Sequence, residues 1–324
     1  MERRRVLGAG AVLGAALVVR PATAWAAEGP PAAVSEADLA AARALFAAGA
    51  YGRLGEVLPL LLAVADRSAR QGPAGAARAA GVWVLASQLA VKQGRTAAAG
   101  TYAGLAGVAA RRSGDVVVLA ASARAAATPL RRTGRADEAL QLLAEARAHL
   151  TAASRPTTAE LDAAGMVALT ASYTAAQAHL PALAEDFAAQ AEETALRLAG
   201  RPHTGGRPRE LSAGQCLLYR IGIHRLLGDV DTALAHARRL QAAHLPTAER
   251  RARAATDTAR ALLDAGDPAG AFAQLRLVEL AAPGEARRPA VRTLTARIAE
   301  ARPGLPGLDA YARRTASGAE ATAR

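Results

Sequence analysis

The chain has 324 residues, 52% of them hydrophobic and 21% charged, with a single Cys and 3% aromatics. Such apolar content excludes a disordered tail, the lone Cys216 excludes an internal disulfide framework, and alanine at about 28% excludes an all-β fold. The net charge of +12 is nearly all arginine, Lys92 being the only lysine, and it is scattered in pairs such as Arg111-Arg112, Arg131-Arg132, Arg238-Arg239, Arg250-Arg251 and Arg287-Arg288. With no long basic run and few aromatics, this reads as solvated helix surface and not as a nucleic-acid face.

Residues 1–26 have a basic start (Arg3, Arg4, Arg5), an apolar stretch Val6–Val19, and small residues at Ala24-Trp25-Ala26. Those are the parts of an export signal, and the paired arginines point to the twin-arginine route with cleavage after Ala26. Fourteen residues span only about 21 Å as a helix, short of a bilayer core of roughly 30 Å, so no permanent membrane span is expected. The other reading is an inter-domain joint of a longer protein.

From Ser35 onward, apolar helical segments alternate with short breaks. Small or apolar residues stand five, nine and twelve places after each turn residue: Gly49 precedes Leu54, Leu58 and Leu61, and Gly94 precedes Ala99, Ala103 and Ala106. Gly134 precedes Ala139, Leu143 and Ala146; His179 precedes Ala184, Ala188 and Ala191. Gly228 precedes Ala233, Ala237 and Leu240, and Gly266 precedes Ala271, Leu275 and Val278. The spacings between units are 45, 40, 45, 49 and 38 residues. A turn that needs a left-handed residue, followed by a small-residue face at helical spacing, describes a helical hairpin. Hairpins of this kind bury their apolar faces only by stacking, so the pattern predicts an all-α, right-handed α-solenoid of about six hairpins over residues 35–302.

The predicted helices pair 35–48 with 52–70, 74–93 with 96–113, and 115–133 with 136–150. Next come 158–179 with 182–199, 213–227 with 230–244, 247–265 with 268–281, and a closing helix 288–301. Pro59 should kink the second helix or mark a false boundary. Gly200–Arg209 reads as an inserted loop, and residues 303–324 as a frayed tail.

The search for chemistry yields little. The histidines form no ligand motif, and His224 and His236, twelve apart, make a poor metal pair. Cys216 lies in an apolar run and reads as a small core residue. No motif for a catalytic residue, metal or cofactor is found, and none is expected. A solenoid binds along its concave face, built mainly from the first helix of each pair. Projecting the repeat there places Gln88, Lys92, Arg124, Tyr173, Gln177, Gln215, Tyr219 and Arg260 on that face or its edge. Such groups in an alanine lining suit a peptide, a protein partner or a small signalling ligand. Each also fits an ordinary polar residue on a wet helix, and Arg124 and Arg260 fit pairing with carboxylates such as Asp257.

Trp83-Val-Leu-Ala-Ser87 before Gly94 resembles the Trp-x-x-Leu-Gly opening of tetratricopeptide repeats, with lengthened helices; HEAT-like pairs are the alternative. The segments Leu245–Arg253, Asp257–Asp267, Ala282–Arg292 and Leu226-Leu-Gly-Asp229 resemble the C-terminal tetratricopeptide sensor region of actinobacterial XRE-type transcriptional regulators. The resemblance spans roughly residues 75–315 and implies a cytoplasmic sensor of a ligand or peptide. The family's DNA-binding helix-turn-helix has no counterpart here, so direct nucleic-acid binding is not expected. Gln215 and Tyr219 stand where the family has Asn and His, so ligand identity does not carry over.

Overall fold

The structure is a computed structural model that describes residues 33–152, 154–202 and 209–316. The export-like or joint segment 1–26 lies outside them. Within the described residues the secondary structure is helical, in six successive pairs and a C-terminal cap. The pairs are α1 (Glu36–Ala47) with α2 (Tyr51–Ala69), α3 (Pro73–Lys92) with α4 (Thr96–Ser113), and α5 (Val116–Arg132) with α6 (Ala136–Thr151). They continue as α7 (Thr158–Gln177) with α8 (Pro181–Ala199), α9 (Ala213–Leu226) with α10 (Val230–Arg239), and α11 (Ala248–Asp264) with α12 (Pro268–Ala281). The cap is α13 (Pro283–Ala286), α14 (Pro289–Ala301) and α15 (Leu308–Ala316).

All six turn residues adopt the left-handed conformation that reverses the chain: Gly49, Gly94, Gly134, Gly228 and Gly266 have φ of 70–85°, and His179 has φ 56°. The face that follows each turn is buried, Leu54, Ala99, Ala139, Ala184, Ala233 and Ala271 all being 0% exposed. Ala237 and Leu240 are only half-buried, because α10 stops at Arg239 and a 3₁₀ turn (Ala242–His244) replaces the helix expected to reach 244. Two hairpins carry a further clip. Ser87 and Ser172, each seven residues before the turn, donate to the carbonyls of Ala99 (2.9 Å) and Ala184 (2.7 Å) on the second helix. A methyl-sized neighbour at these places brings the helices close enough for a buried hydroxyl to reach across.

The first helices α1, α3, α5, α7, α9 and α11 stack in succession, whereas second helices of neighbouring hairpins barely meet. This asymmetry curves the solenoid, with first helices inside. The curvature is tight enough that the ends touch, α11 returning to α1. Gly49 and Gly284 make the approach possible: a Cβ on Gly49 would lie 2.7 Å from the Ala282 Cβ, and one on Gly284 would lie 2.1 Å from the Gly49 carbonyl oxygen. The concave face expected from the repeat is thus an inner wall whose two ends meet.

Two smaller expectations are corrected. Helix α2 runs through Pro59 without a boundary, because Pro59 is on the exposed face, where the carbonyl it leaves unpartnered meets water. Residues 308–316, expected to fray, form a packed helix: Tyr311 is fully buried, edge-on to Phe272 with ring centroids 5.7 Å apart. Helix α3 is long and apolar enough to cross a membrane, at mean hydropathy 1.2, but 67% of that window is buried within the fold.

Candidate functional site on the inner wall

Helical spacing sets the composition of the wall. Arg124 and Arg131 are seven apart on α5, Gln215 and Tyr219 four apart on α9, and Arg250, Arg253, Asp257 and Arg260 repeat every three or four residues on α11. The stacking of the first helices then brings these stripes together with Thr170 and Tyr173 of α7. Arg124 donates to the Thr170 hydroxyl (3.4 Å) and to Glu210 (3.2 Å). Tyr173 and Tyr219 meet edge to face at 6.3 Å. The Arg253 guanidinium lies 4.2 Å from the Tyr219 ring centroid and 5.9 Å from that of Tyr173; Arg131 covers Tyr173 at 5.1 Å. Gly222, one turn beyond Tyr219, leaves room for Tyr173, whose ring would sit 2.7 Å from an added Cβ.

The electrostatics follow. Burial alone would raise the Tyr219 phenol, but Arg253, Arg250 and Arg124 outweigh it and bring the group down to about 7. Arg131 moves the other way: burial lowers its guanidinium, and nearby Arg253 and Arg132 add to the effect. Among the described residues no carboxylate pairs with Arg131, and its Nη1 is buried without a hydrogen bond. Gln215 is fully buried, with neither amide atom partnered.

A second cluster shuts the ring. Lys92, at the end of α3, bonds Glu249 at the start of α11 and Glu285 of α13 (2.6 Å to the latter). Glu285 also accepts from the Tyr51 hydroxyl and from Arg288. Glu285 is 0% exposed, yet Lys92 and Arg288 overcome the effect of burial and hold its carboxyl below the ordinary carboxylate range. Lys92 and Arg250 do the same for Glu249.

Of the residues projected onto the concave face, Arg124, Tyr173, Tyr219 and Gln215 belong to the wall and Lys92 to the closure. Arg260 is bound to Asp257 at 2.9 Å. Gln88 is half-buried on α3, and Gln177 is exposed at the end of α7. The sequence reading missed Arg131, Arg250, Arg253, Glu249, Glu285, Arg288 and Tyr51. Three of the arginines assigned to solvated surface, Arg131, Arg250 and Arg288, are in fact drawn inward. For Arg131 and Arg250 the signal was present, as charged residues in register with Arg124 on α5 and with Arg260 on α11.

Elsewhere, Cys216 is buried, which pushes its thiol up to about 12 and leaves it a packing residue. His224 and His236 stack at 5.1 Å, and the described residues contain no group of three or more side chains that could hold a metal. Two grooves of about 540 Å³ lie away from the inner wall. One is between α4, α5 and α6, over Gly100, Gly104 and Gly107; the other is beside Cys216, between α8 and α10.

No family model matches the chain, and no curated protein matches it. Among solved structures, it is similar to a chain in the crystal structure of the APC/C hetero-tetramer Cut9-Hcn1, at TM-score 0.41 and 13% identity. The likeness covers 87% of this chain and 56% of that one.

Proposed function

We propose that the protein is a non-enzymatic helical-repeat binding module. In this reading it is a cytoplasmic sensor that takes a small signal or the end of a peptide on its inner wall and reports it through closure of the ring. One observation carries the reading: the same helix, α11, supplies Arg250, Arg253 and Asp257 to the wall and Glu249 to the closing cluster. A ligand that moves α11 on one side alters the Lys92 contact on the other, so occupancy and closure share a free energy. The resemblance to the sensor regions of XRE-type regulators supports a regulatory setting, since the segments that carry it, 245–253, 257–267 and 282–292, include α11 and α13. The alternative, an exported scaffold released after Ala26, rests on residues 1–26 alone.

The test is a thermal-shift screen of metabolites and short peptides on the full chain, with solution scattering of any hit. A hit should raise the melting temperature, change the radius of gyration, and weaken in Tyr173→Ala. Hits that bind Tyr173→Ala as well as the parent protein, or leave the radius unchanged, would refute the reading.

A further inference from the structure

We propose that Arg131, packed on the ring of Tyr173, and Arg253, packed on the rings of Tyr173 and Tyr219, form a site for an oxyanion: the carboxylate or phosphate of a small organic molecule. The inference rests on the inner wall being the binding surface and names the chemistry of what binds there.

The carboxylates around the wall and the closure are already in use. Glu210 pairs with Arg124, Asp257 is shared by Arg253 and Arg260, and Glu249 is shared by Lys92 and Arg250. Glu285 is shared by Lys92 and Arg288. Arg131 lies over the Tyr173 ring and has no carboxylate partner among the described residues; the Tyr173 and Tyr219 phenols favour its charge, and Arg253 and Arg132 oppose it. The N–H groups of a buried guanidinium must find acceptors, and the Arg131 Nη1 has none.

Two further features converge on the same wall. The amide of Gln215, one turn from Tyr219 on the same face of α9, is buried with neither its donor nor its acceptor used. A buried polar group left unmatched is costly, and a polar ligand that bonds to it recovers that cost. The environment of Tyr219, drawn from α5 (Arg124), α7 (Tyr173) and α11 (Arg250, Arg253, Asp257), is electropositive enough to favour a phenolate in a buried place. Any small anion that enters will sense that field. The planar fork of arginine suits the paired oxygens of carboxylate and phosphate, and the tyrosine rings give an organic ligand apolar walls. Cation–π contact alone would explain the Arg131–Tyr173 stack, but not the buried Nη1 of Arg131 left without an acceptor.

The experiment uses the full chain with inorganic phosphate and with citrate, each against chloride at matched ionic strength. Melting temperature is one readout. The other is tyrosinate absorbance at about pH 8, where a Tyr219 that titrates near 7 is mainly ionised. The expected result is a saturable rise in melting temperature with one anion beyond the chloride effect. Tyrosinate absorbance should fall as the bound anion raises the Tyr219 pKa. In Arg131→Met, binding should weaken by at least about tenfold. Saturation by phosphate alone would identify a phosphate-bearing ligand, and by citrate alone a carboxylate. The proposal is overturned if both anions merely track chloride, if Arg131→Met binds as tightly as the parent, or if saturating anion leaves the absorbance unchanged. The absorbance arm needs no variant and stands even if Arg131→Met does not fold. Should both anions fail while a neutral compound binds the parent and not Tyr173→Ala, the oxyanion site falls and the inner-wall reading survives. If nothing binds in a Tyr173-dependent way, both fall.

Discussion

Tyr219 shows how far a single side chain is governed by partners remote in sequence. Its phenol is buried, which favours the neutral form, yet Arg253, Arg250 and Arg124 reverse the balance and set it near 7. Ultraviolet titration should therefore show one tyrosine ionising about three units below the usual value near 10, and Arg253→Met should return that transition towards the ordinary range. A depressed folded value adds stability as pH rises from about 7 towards 10, and loses it as pH falls through 7. Chemical denaturation across that window should show the gain in the parent and not in Tyr219→Phe. Nothing in the run Cys216-Leu-Leu-Tyr219 announces this, because the three arginines arrive from α5 and α11. Tyr219 itself was legible as a polar interruption on an alanine-lined face; its chemistry was not.

Within a hairpin, local rules suffice. A residue that ends the first helix in the left-handed region, followed by a small-residue face, fixes each pair, and the pattern could be read directly from the sequence. His179 is the informative member, as the only non-glycine residue with positive φ among the described residues. A side chain in that region costs about 1–2 kcal/mol, partly offset by the lower chain entropy of a non-glycine unfolded state. His179→Gly should therefore stabilise the protein by up to about 1 kcal/mol. At Gly134, where φ is 78°, Ala should cost a similar amount; melting both variants against the parent checks the pair. The C-terminal cap was less legible. Its helix α15 has buried Leu308, Tyr311 and Thr315 spaced for a helix, but the surrounding Gly, Pro and Arg residues obscured the signal.

Across the molecule, one buried cation links the two carboxylates of the closure. Lys92 is shared by Glu249 and Glu285, which Arg250 and Arg288 also contact, so Lys92→Met removes the charge that joins them. Breaking such a buried pair costs about 3–5 kcal/mol. Part of that should appear as separation of the first and last hairpins, read as a larger radius of gyration in solution scattering. Both carboxyls are held below their ordinary values in the fold, so their contribution is complete above the unfolded carboxylate pKa of about 4 and disappears as pH falls further. Acid titration should open the ring at low pH in the parent. Added salt at neutral pH should do little, since the cluster is shielded from solvent. A radius unchanged in both Lys92→Met and acid would contradict this role for the cluster.

The sequence by itself determined the six helical pairs, their turns, the buried face of every hairpin but the fifth, where only Ala233 is buried, and their stacking order, because each depends on residues within about forty positions and on helical periodicity. It also marked Arg124, Tyr173, Gln215 and Tyr219 as exceptions to an alanine lining. Only the tertiary structure decided that the ends meet, and with that the partners of Lys92, Glu249, Glu285 and Arg131. Curvature is the sum of small rotations between successive pairs, and no single repeat encodes that sum. A few degrees more or less per hairpin would leave every local pattern intact and the same charges in water.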